Sequence, residues 1–516
     1  MALLSVNITE KDLQSIIEQV VKNISGIQGV SEAKQQVEAL KEIKIAPSNI
    51  VNPESTSNYS KLPPVSGVFE NMAEAIEAAD KAQKNFIKKC NLDDRERIIN
   101  AIRKMILSNK ETLAKMVYDE TKLGKYRDKL AKLELVAAKT PGVEDLKTEA
   151  FSGDSGLTIV ENGAFGVIGA VTPVTNPIET ILNNSIGMIA GGNTVVFNVH
   201  PSSKNSCAYV VELLNKTIVE AGGPANLVNM VRIPNMDTLK ELTTNPKIRL
   251  LVGTGGPGLV KTLLQSGKKA IGAGAGNPPV IVDETADLEH AAKEIIKGAS
   301  FDNNILCIAE KEVFVVDKAA DELIFHMLNN GAYMLSKREV EFVMQFALEE
   351  NVNKVARGCS LDNKREYHVA KDWVGKDASL FLEKLGVRTD KEVNLLIFEA
   401  EFDHPYVQLE QMMPVMPIVR VRNVDEAIDL AVEAEHGNRH TAMMHSKNVD
   451  NLTKFARAIG TTIFVKNASS LAGVGFEGEG YTTMSIAGPT GEGLTSAKNF
   501  TRKRRCVLAE GGFRIV

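Results

Sequence analysis

Short apolar runs recur along the first half of the chain. They read FGVIGAV, TVVFNV, NLVNMV and IRLLVG, and each is followed by a turn signal and then a helical pattern. Continuous apolar runs without alternation are typical of parallel strands that are buried on both faces. The pattern predicts βαβ units in a dinucleotide-binding sheet.

Helical spacing comes before these runs, at residues 70–86 and 95–121, which are rich in Ala, Glu, Lys and Leu. A second α/β set begins near PPVIVDE (278–284) and runs through KEVFVVD to TTIFVKN. Gly and Ala crowd between the two sets. We therefore predict an α/β protein with a Rossmann-type cofactor domain at 66–271 and an α/β catalytic domain at 272–494.

The N-terminal residues 1–24 have the spacing of an amphipathic helix, with Thr9 and Asp12 placed as a capping box. Residues 25–65 are interpreted as a linker, because Pro, Ser and Asn crowd there from about 45. A short isolated helix is marginal in water and needs a partner. This partner is its own domain, another subunit or another protein; a membrane fits less well, because the polar face mixes Glu with Lys.

The composition excludes several classes of protein. The chain has 516 residues, more than one core usually holds, and a net charge of −5, with its dense basic run confined to 502–505. We therefore expect several domains and no nucleic-acid partner. No apolar run approaches the ~20 residues of a membrane span, so a cytoplasmic location is predicted. The five cysteines lack paired zinc-site spacing and are expected to be free thiols.

The loop after the first predicted strand carries Thr172, Thr175 and Asn176. Ligands bind at the carboxyl edge of such sheets, and an Asn amide there can donate to an oxyanion. The competing interpretation is an ordinary Asn-Pro turn.

A glycine-rich turn follows the fourth predicted strand, with Gly253, Thr254, Gly255 and Gly256 ahead of a helix. Glycines let a pyrophosphate approach the backbone, and the helix start adds free N–H groups. The turn departs from the GxGxxG pattern of dinucleotide-binding proteins. The prediction of a pyrophosphate site therefore rests on the position of the turn after the fourth strand of the repeating units.

Three further positions are candidates for chemistry. Cys307, just before a predicted strand, is either a nucleophile activated by nearby backbone dipoles or a small buried hydrophobe. Glu410 either binds a ribose or faces solvent. His436, His440 and His445 have spacings that match no common zinc signature, so we predict no metal site.

Taken in order, these segments resemble the aldehyde dehydrogenase superfamily, and specifically its CoA-acylating branch, the propionaldehyde dehydrogenases of bacterial microcompartments. The likeness runs from about residue 66 to the C-terminus. It is carried by TPVTNP, GTGGPG, NNILCIAEK, LEQMMPVMPIVRV, EHGNRHTAMMHS and GPTGEGLTSAKNFTRKRRCVL.

The resemblance implies roles for these residues. Cys307 would attack the aldehyde carbon, and Asn176 with the Cys307 backbone N–H would hold the oxyanion. Glu410 would bind the nicotinamide ribose. The cofactor-binding residues implied are Thr172, Pro173, Thr175, His200, Gly253, Thr254, Gly255, Gly256 and Glu410.

Two departures from hydrolytic relatives refine this expectation. Where those carry a Glu that activates water, this chain has Gly272 in GAGAGNPP, so we expect acyl transfer to CoA. Where they place an acid against the adenosine ribose, this chain offers His200 and Lys204. NAD is therefore favoured from the resemblance alone, and NADP stays open.

The resemblance also concerns assembly. Segments 140–162 and 495–516 fall where the superfamily places a β oligomerisation arm and its partner strand, so a homodimer or homotetramer is expected. Residues 1–24 resemble extensions that bind a microcompartment shell protein, which implies a place in the lumen. Propanal is the favoured substrate. The alternatives are a hydrolytic aldehyde dehydrogenase, an acyl-phosphate reductase and a non-catalytic scaffold.

Overall fold

The computed structural model describes residues 67–350 and 367–510, so the predictions for residues 1–24 and 25–65 lie outside it. The helices are α1 Met72–Lys89, α2 Leu92–Thr121, α3 Tyr126–Lys139, α4 Pro177–Ala190, α5 Lys204–Glu220, α6 Met236–Thr244, α7 Pro257–Leu264, α8 Leu288–Ser300, α9 Asp317–Asn329, α10 Lys337–Ala347, α11 Ala378–Leu385, α12 Pro405–Gln408, α13 Val424–Ala434 and α14 Val449–Ile459.

The strands are β1 Val68–Phe69, β2 Glu149–Gly153, β3 Gly156–Ala164, β4 Val167–Val171, β5 Thr194–Asn198, β6 Val228–Val231, β7 Ile248–Thr254, β8 Ala270–Ala273, β9 Pro279–Val282, β10 Glu312–Val316, β11 Ala332–Met334, β12 Leu348–Glu350, β13 Tyr367–Val369, β14 Leu395–Glu399, β15 Val415–Val421, β16 Thr441–His445, β17 Ile463–Lys466, β18 Ile486–Ala487, β19 Gly493–Leu494 and β20 Thr501–Ala509.

The first sheet contains the four apolar runs predicted as strands. Its order is β1-β6-β5-β4-β7-β8, and all its pairs are parallel. Strands β4, β5 and β6 are buried along their whole length, which explains why their sequences do not alternate. The strand order reverses between β4 and β7, and this switch point is where open α/β sheets bind ligands.

The second sheet is also parallel, with the order β11-β14-β15-β10-β9-β16-β17. The loops that enter β10, β15 and β16 meet at its amino edge. They carry Cys307, Glu410 and His440 respectively. The predicted α/β fold with two parallel sheets is therefore confirmed.

A third, antiparallel sheet joins two distant parts of the chain, in the order β2-β3-β20. Strand β20 pairs with β3 from Thr501↔Ala164 to Ala509↔Gly156. The segments proposed as arm and partner strand thus pair within one chain.

The first main sheet extends slightly beyond the predicted domain boundary at 271/272. The first sheet continues through β8 to Ala273. The C-terminal residues Ala487, Ala497 and Phe500 pack in the core of the first sheet. The core of the first sheet therefore includes residues from the C-terminal part of the chain.

Candidate active site

A cavity of about 470 Å³ lies at the switch point of the first sheet. Its walls combine the loops after β4 and β7 with loops at the amino edge of the second sheet. The predicted site residues that line it are Thr172, Pro173, Thr175, Asn176, His200, Thr254, Gly255, Gly256, Cys307 and Glu410. Residues far apart in the sequence are thus brought to one place.

The loop after β4 ends at Asn176, the residue that precedes helix α4. Asn176 is 8% exposed, and its side chain makes no capping bond to the helix. Its Oδ1 instead accepts a hydrogen bond of 2.6 Å from the Lys132 ammonium. Thr172 is also buried, and its hydroxyl has no hydrogen-bond partner among the described residues. This loop therefore presents polar groups that are free to meet a ligand.

The glycine turn after β7 opens helix α7 towards the cavity. Gly256 is the N-cap of α7 and offers no side chain to the helix, and a Cβ added there would meet no atom within 4 Å. The free N–H groups at the helix start can therefore receive a phosphate. The Thr254 hydroxyl is already bonded to that of Ser485 at 2.7 Å.

Gly253 does not line the cavity. A Cβ there would lie 2.2 Å from Leu263 Cδ1, so this glycine is required by the close packing of β7 against α7. A role of Gly253 in cofactor binding stays a prediction.

His200 lies on the cavity wall at the end of β5. Its Nδ1 accepts a hydrogen bond of 3.2 Å from the Ser202 N–H. Burial, with a smaller contribution from Lys371, lowers its pKa, which favours the neutral imidazole.

The loop that carries Cys307 has an unusual backbone. Asp302, Asn303 and Asn304 have φ values of 47°, 55° and 67°, in the left-handed region that Asn and Asp tolerate best after Gly. The buried Lys311 ammonium donates to the Asn304 carbonyl at 2.9 Å and to the Leu306 carbonyl at 3.3 Å. These bonds fix the path of the chain into Cys307.

Cys307 rests as a thiol. Burial, and to a smaller extent the nearby Glu410 carboxylate, raise its pKa to about 12, although Lys311 acts in the opposite sense. Backbone hydrogen bonds at Cys307 and Ile308 also lower its pKa. Loss of solvation outweighs these backbone groups, and activation of the thiol by backbone dipoles stays a prediction.

Glu410 also lines the cavity, and its Oε1 accepts a bond of 3.3 Å from the Gly276 N–H. Burial raises its pKa to about 7, although Lys311 and the Gly276 N–H oppose the shift. Its carboxyl group therefore changes charge near neutral pH.

Residues 272–276 read Gly-Ala-Gly-Ala-Gly and contain no carboxylate. Gly272 itself does not line the cavity; a Cβ there would lie 2.6 Å from Val260 Cγ1, whereas Gly274 and Ala275 do line it. Whichever of these residues matches the water-activating Glu of hydrolytic relatives, it is Gly or Ala here.

His440 lies close to the loop that carries Cys307. A Cβ on Gly276 would lie 2.7 Å from the Cys307 carbonyl oxygen and 2.9 Å from His440 Cγ. Burial lowers the pKa of His440 to about 4, so its imidazole is neutral. Sequence reasoning had treated it only as part of a histidine cluster. Among the described residues, no group of three His, Cys, Asp or Glu is placed to hold a metal ion.

Other cavity residues carried no signal in the sequence. They are mainly apolar or amide side chains: Asn198, Asn235, Met236, Leu259, Ile305, Met412 and Met484. An apolar side chain on a cavity wall looks the same in a sequence as one in a core. In the described parts of the chain, no helix is long and apolar enough to cross a membrane.

The two parallel sheets and the switch-point cavity lined by Cys307 define a class of protein, and comparison with known families agrees. Residues 45–503 match the aldehyde dehydrogenase family. The chain belongs to this family.

Individual relatives narrow the class. The chain is 46% identical to the acetylating acetaldehyde dehydrogenase of Salmonella typhimurium, over 87% of this chain and 94% of that one. It is 49% identical, with a TM-score of 0.82, to a propionaldehyde dehydrogenase from the Clostridium phytofermentans fucose utilisation bacterial microcompartment, over 87% of this chain and 100% of that one.

A third relative is the propionaldehyde dehydrogenase of Rhodopseudomonas palustris, solved with bound CoA and an acylated cysteine. It is 49% identical with a TM-score of 0.82, over 86% of this chain and 98% of that one. Likeness of this extent identifies the chain as a CoA-acylating aldehyde dehydrogenase.

Proposed function

We propose that this enzyme oxidises a short aldehyde on Cys307 and passes the acyl group to CoA, with a nicotinamide dinucleotide as oxidant. One observation carries the proposal: Cys307 and Asn176 line the same cavity, and residues 272–276 beside it contain no carboxylate to activate water. An acyl group on Cys307 then lasts until a better nucleophile than water arrives.

In the proposed reaction, the Cys307 thiol first gives its proton to solvent. Sγ of the thiolate then forms a bond to the aldehyde carbon, and the negative charge develops on the aldehyde oxygen. Asn176 Nδ2 and the Cys307 N–H donate to this oxygen. Loss of hydride from the same carbon leaves a thioester on Cys307. The CoA thiolate then attacks the thioester carbon, and the Cys307 thiolate leaves.

Lys311 and Glu410 control the charge of the nucleophile. Lys311 lowers the pKa of Cys307 and therefore favours the thiolate, whereas the Glu410 carboxylate raises it. Protonation of Glu410, whose pKa is about 7, removes this opposition.

The cavity fits a dinucleotide on several counts. The buried Thr172 hydroxyl has no hydrogen-bond partner within the described parts of the chain. The start of α7 has no side-chain cap, and the Glu410 carboxylate can accept from ribose hydroxyls. When bound, the dinucleotide supplies the hydride acceptor. Gly255 and Gly256 allow a pyrophosphate to approach the helix start.

NAD is the proposed form of the cofactor. His200 on the cavity wall and Lys204 at the start of α5 provide no acid to bind the adenosine ribose or to repel a 2′-phosphate. NADP is therefore expected to be used as well, with a lower kcat/KM.

Propanal is the proposed substrate, with ethanal close behind. The relatives described above are named for acetaldehyde and for propionaldehyde. One methylene in a pocket gives only about 1–3 kcal/mol of discrimination, so both aldehydes should be turned over.

The first test measures NADH formation from propanal and NAD, with and without CoA, in the native enzyme and in Cys307→Ala. Steady turnover should require both CoA and Cys307, and without CoA only a burst of one NADH per site is expected. Cys90→Ala, a change at a buried cysteine outside the cavity, is the matched control.

Either alternative function would give a different result. Steady turnover without CoA would show that water is activated, as in a hydrolytic aldehyde dehydrogenase. Absence of any turnover or burst, with no thermal shift on adding NAD, would support a non-catalytic scaffold.

Assembly is proposed in two parts. A homodimer or homotetramer would form through the third sheet, and residues 1–24 would bind a shell protein and hold the enzyme in a microcompartment lumen. The homologue from a fucose utilisation microcompartment supports the second part. Deletion of residues 1–20 should abolish co-sedimentation with shells, and unchanged co-sedimentation would contradict it.

A further inference from the structure

Four charged side chains lie fully buried next to the cavity, and the reaction described above does not use them. They are Lys129 and Lys132 on α3, Glu179 on α4 and Asp302 in the loop that carries Cys307, each at most 1% exposed. Their formal charges cancel. Burying ions without such pairing is strongly unfavourable, so the four charges stabilise one another.

Lys132 is the centre of this cluster. Its ammonium lies 2.6 Å from Asn176 Oδ1, 2.6 Å from Asp302 Oδ2 and 3.3 Å from Glu179 Oε1. Lys129 reaches only one of these groups, Asp302 Oδ2, at 3.3 Å. Lys132 therefore donates a hydrogen bond to Asn176 and forms ion pairs with Asp302 and Glu179.

The contact with Asn176 determines which end of the amide faces the cavity. Because Oδ1 is held by Lys132, Nδ2 is left with a single long contact, 3.5 Å to Thr175 Oγ1. Nδ2 is thus available as a donor. A rotated amide would turn Oδ1 towards the developing negative charge, which would repel it.

The contact with Asp302 connects the same ammonium to the nucleophile. Asp302 begins the left-handed segment that leads to Cys307, and its Oδ1 also accepts from the Lys125 N–H at 2.7 Å. One cation therefore joins the loop that bears the amide donor to the loop that bears the thiol. These two loops come from different sheets.

We propose that Lys132 is a positioning residue, which fixes the Asn176 amide with Nδ2 towards the substrate oxygen and holds it in register with the Cys307 loop. The inference rests on the proposed role of Asn176 as oxyanion donor. It predicts that Lys132 acts through Asn176 and only in steps where negative charge forms on that oxygen.

The experiment compares two reactions of Cys307. The NADH burst with propanal in the absence of CoA requires an oxyanion. Alkylation of the thiol by iodoacetamide requires none, because the carbon–sulfur bond forms as iodide leaves. A purely structural disturbance of the loop would slow both reactions.

Lys132→Met should slow the burst by about tenfold or more, and Asn176→Ala by about 10²–10³-fold, as expected for loss of one oxyanion donor. Alkylation should change by less than about twofold in both variants. In the double variant the burst should match that of Asn176→Ala, because residues that act as a unit are not additive. Lys129→Met, which loses an ion pair to the same Asp302 without touching Asn176, is the matched control.

Each result has one meaning. If Asn176→Ala leaves the burst unchanged, the proposed role of Asn176 fails. If Asn176→Ala is slow but Lys132→Met is not, if alkylation slows together with the burst, or if the two losses multiply, the inference about Lys132 is overturned while the proposed function stands.

A second variant guards against loss of folding. Lys132→Met leaves Asp302 and Glu179 with a single cation, whereas Lys132→Met with Glu179→Gln keeps the buried charges balanced. This double variant should show the same slow burst and normal alkylation as Lys132→Met. Glu179→Gln alone should retain a fast burst. A fast burst in the charge-balanced pair would also overturn the inference.

Discussion

At the scale of single residues, the environment of the Glu410 carboxyl makes its ionised form unfavourable in the folded protein. Burial raises the pKa of its carboxyl from 4.5 to about 7, so the folded protein holds this proton more tightly than the unfolded chain does. The stability that the proton provides is complete below pH 4.5 and is lost as pH rises to about 7.

Glu410→Gln should therefore become more stable than the native enzyme as pH rises. The two melting temperatures should be similar near pH 4.5, diverge up to about pH 7 and stay apart above it, since Gln does not ionise. Thermal unfolding at pH 5 and pH 8 measures this, with the exposed Glu401→Gln as control. Parallel curves would mean that Glu410 is well hydrated in the folded enzyme.

Single residues also show what the sequence could not reveal. Cys307, Asn176 and Glu410 were found because they stand in long motifs of a known family, and all three line the cavity. Lys132 gave no signal, because a lysine on an amphipathic helix is usually exposed. Its partner Asp302 is far away in the chain, so only the fold could reveal the pair.

At the scale of elements, helix α7 begins without a side-chain cap. Gly256 has φ −64° and ψ 165°, which any residue adopts, and it has open space around it. Ser, Thr, Asp or Asn is usual at this position, so the bare start is unfavourable for the helix and favourable for an anion.

Gly256→Asp should cap α7 and repel a pyrophosphate at once. We expect an unchanged or slightly higher melting temperature and a KM for NAD raised by about tenfold or more, because the carboxylate occupies the phosphate position. Gly256→Asn provides the same cap without the charge and is the matched control. Equal KM values in the two variants would place the pyrophosphate elsewhere.

Most elements of the first sheet were predictable. Strands β4, β5, β6 and β7 are short, continuously apolar and bounded by turns, so local pattern and final environment agree. The small sheet was expected only from the family likeness, because β20 is rich in Arg and exposed along nearly its whole length. Its pairing with β3 is set by contacts distant in sequence.

At the scale of the whole molecule, the third sheet presents an apolar surface to solvent. Phe151 and Val507 are 57% and 59% exposed and both pair with Thr158, so the three residues form one row on one face. Within residues 67–350 and 367–510, the outer edge of β20 has no strand partner. Edges and patches of this kind are usually covered by another subunit.

Phe151→Lys combined with Val507→Lys should therefore weaken the proposed oligomer. Light scattering should give the mass of a single chain for the double variant at concentrations where the native enzyme is larger. Phe325→Lys, a change at an apolar residue that is 60% exposed on α9, is the control and should leave the mass unchanged. A native enzyme that is already monomeric would contradict the proposal.

The left-handed segment at Asp302, Asn303 and Asn304 limits how this enzyme can evolve. Most amino acids would be strained by about 1–2 kcal/mol at each of these positions, so few substitutions there survive. New aldehyde ranges should therefore arise on other walls of the cavity, at Ile305 or Met484. Substitution is therefore restricted in the segment that leads to Cys307, whereas the residues that shape the aldehyde pocket can vary under selection.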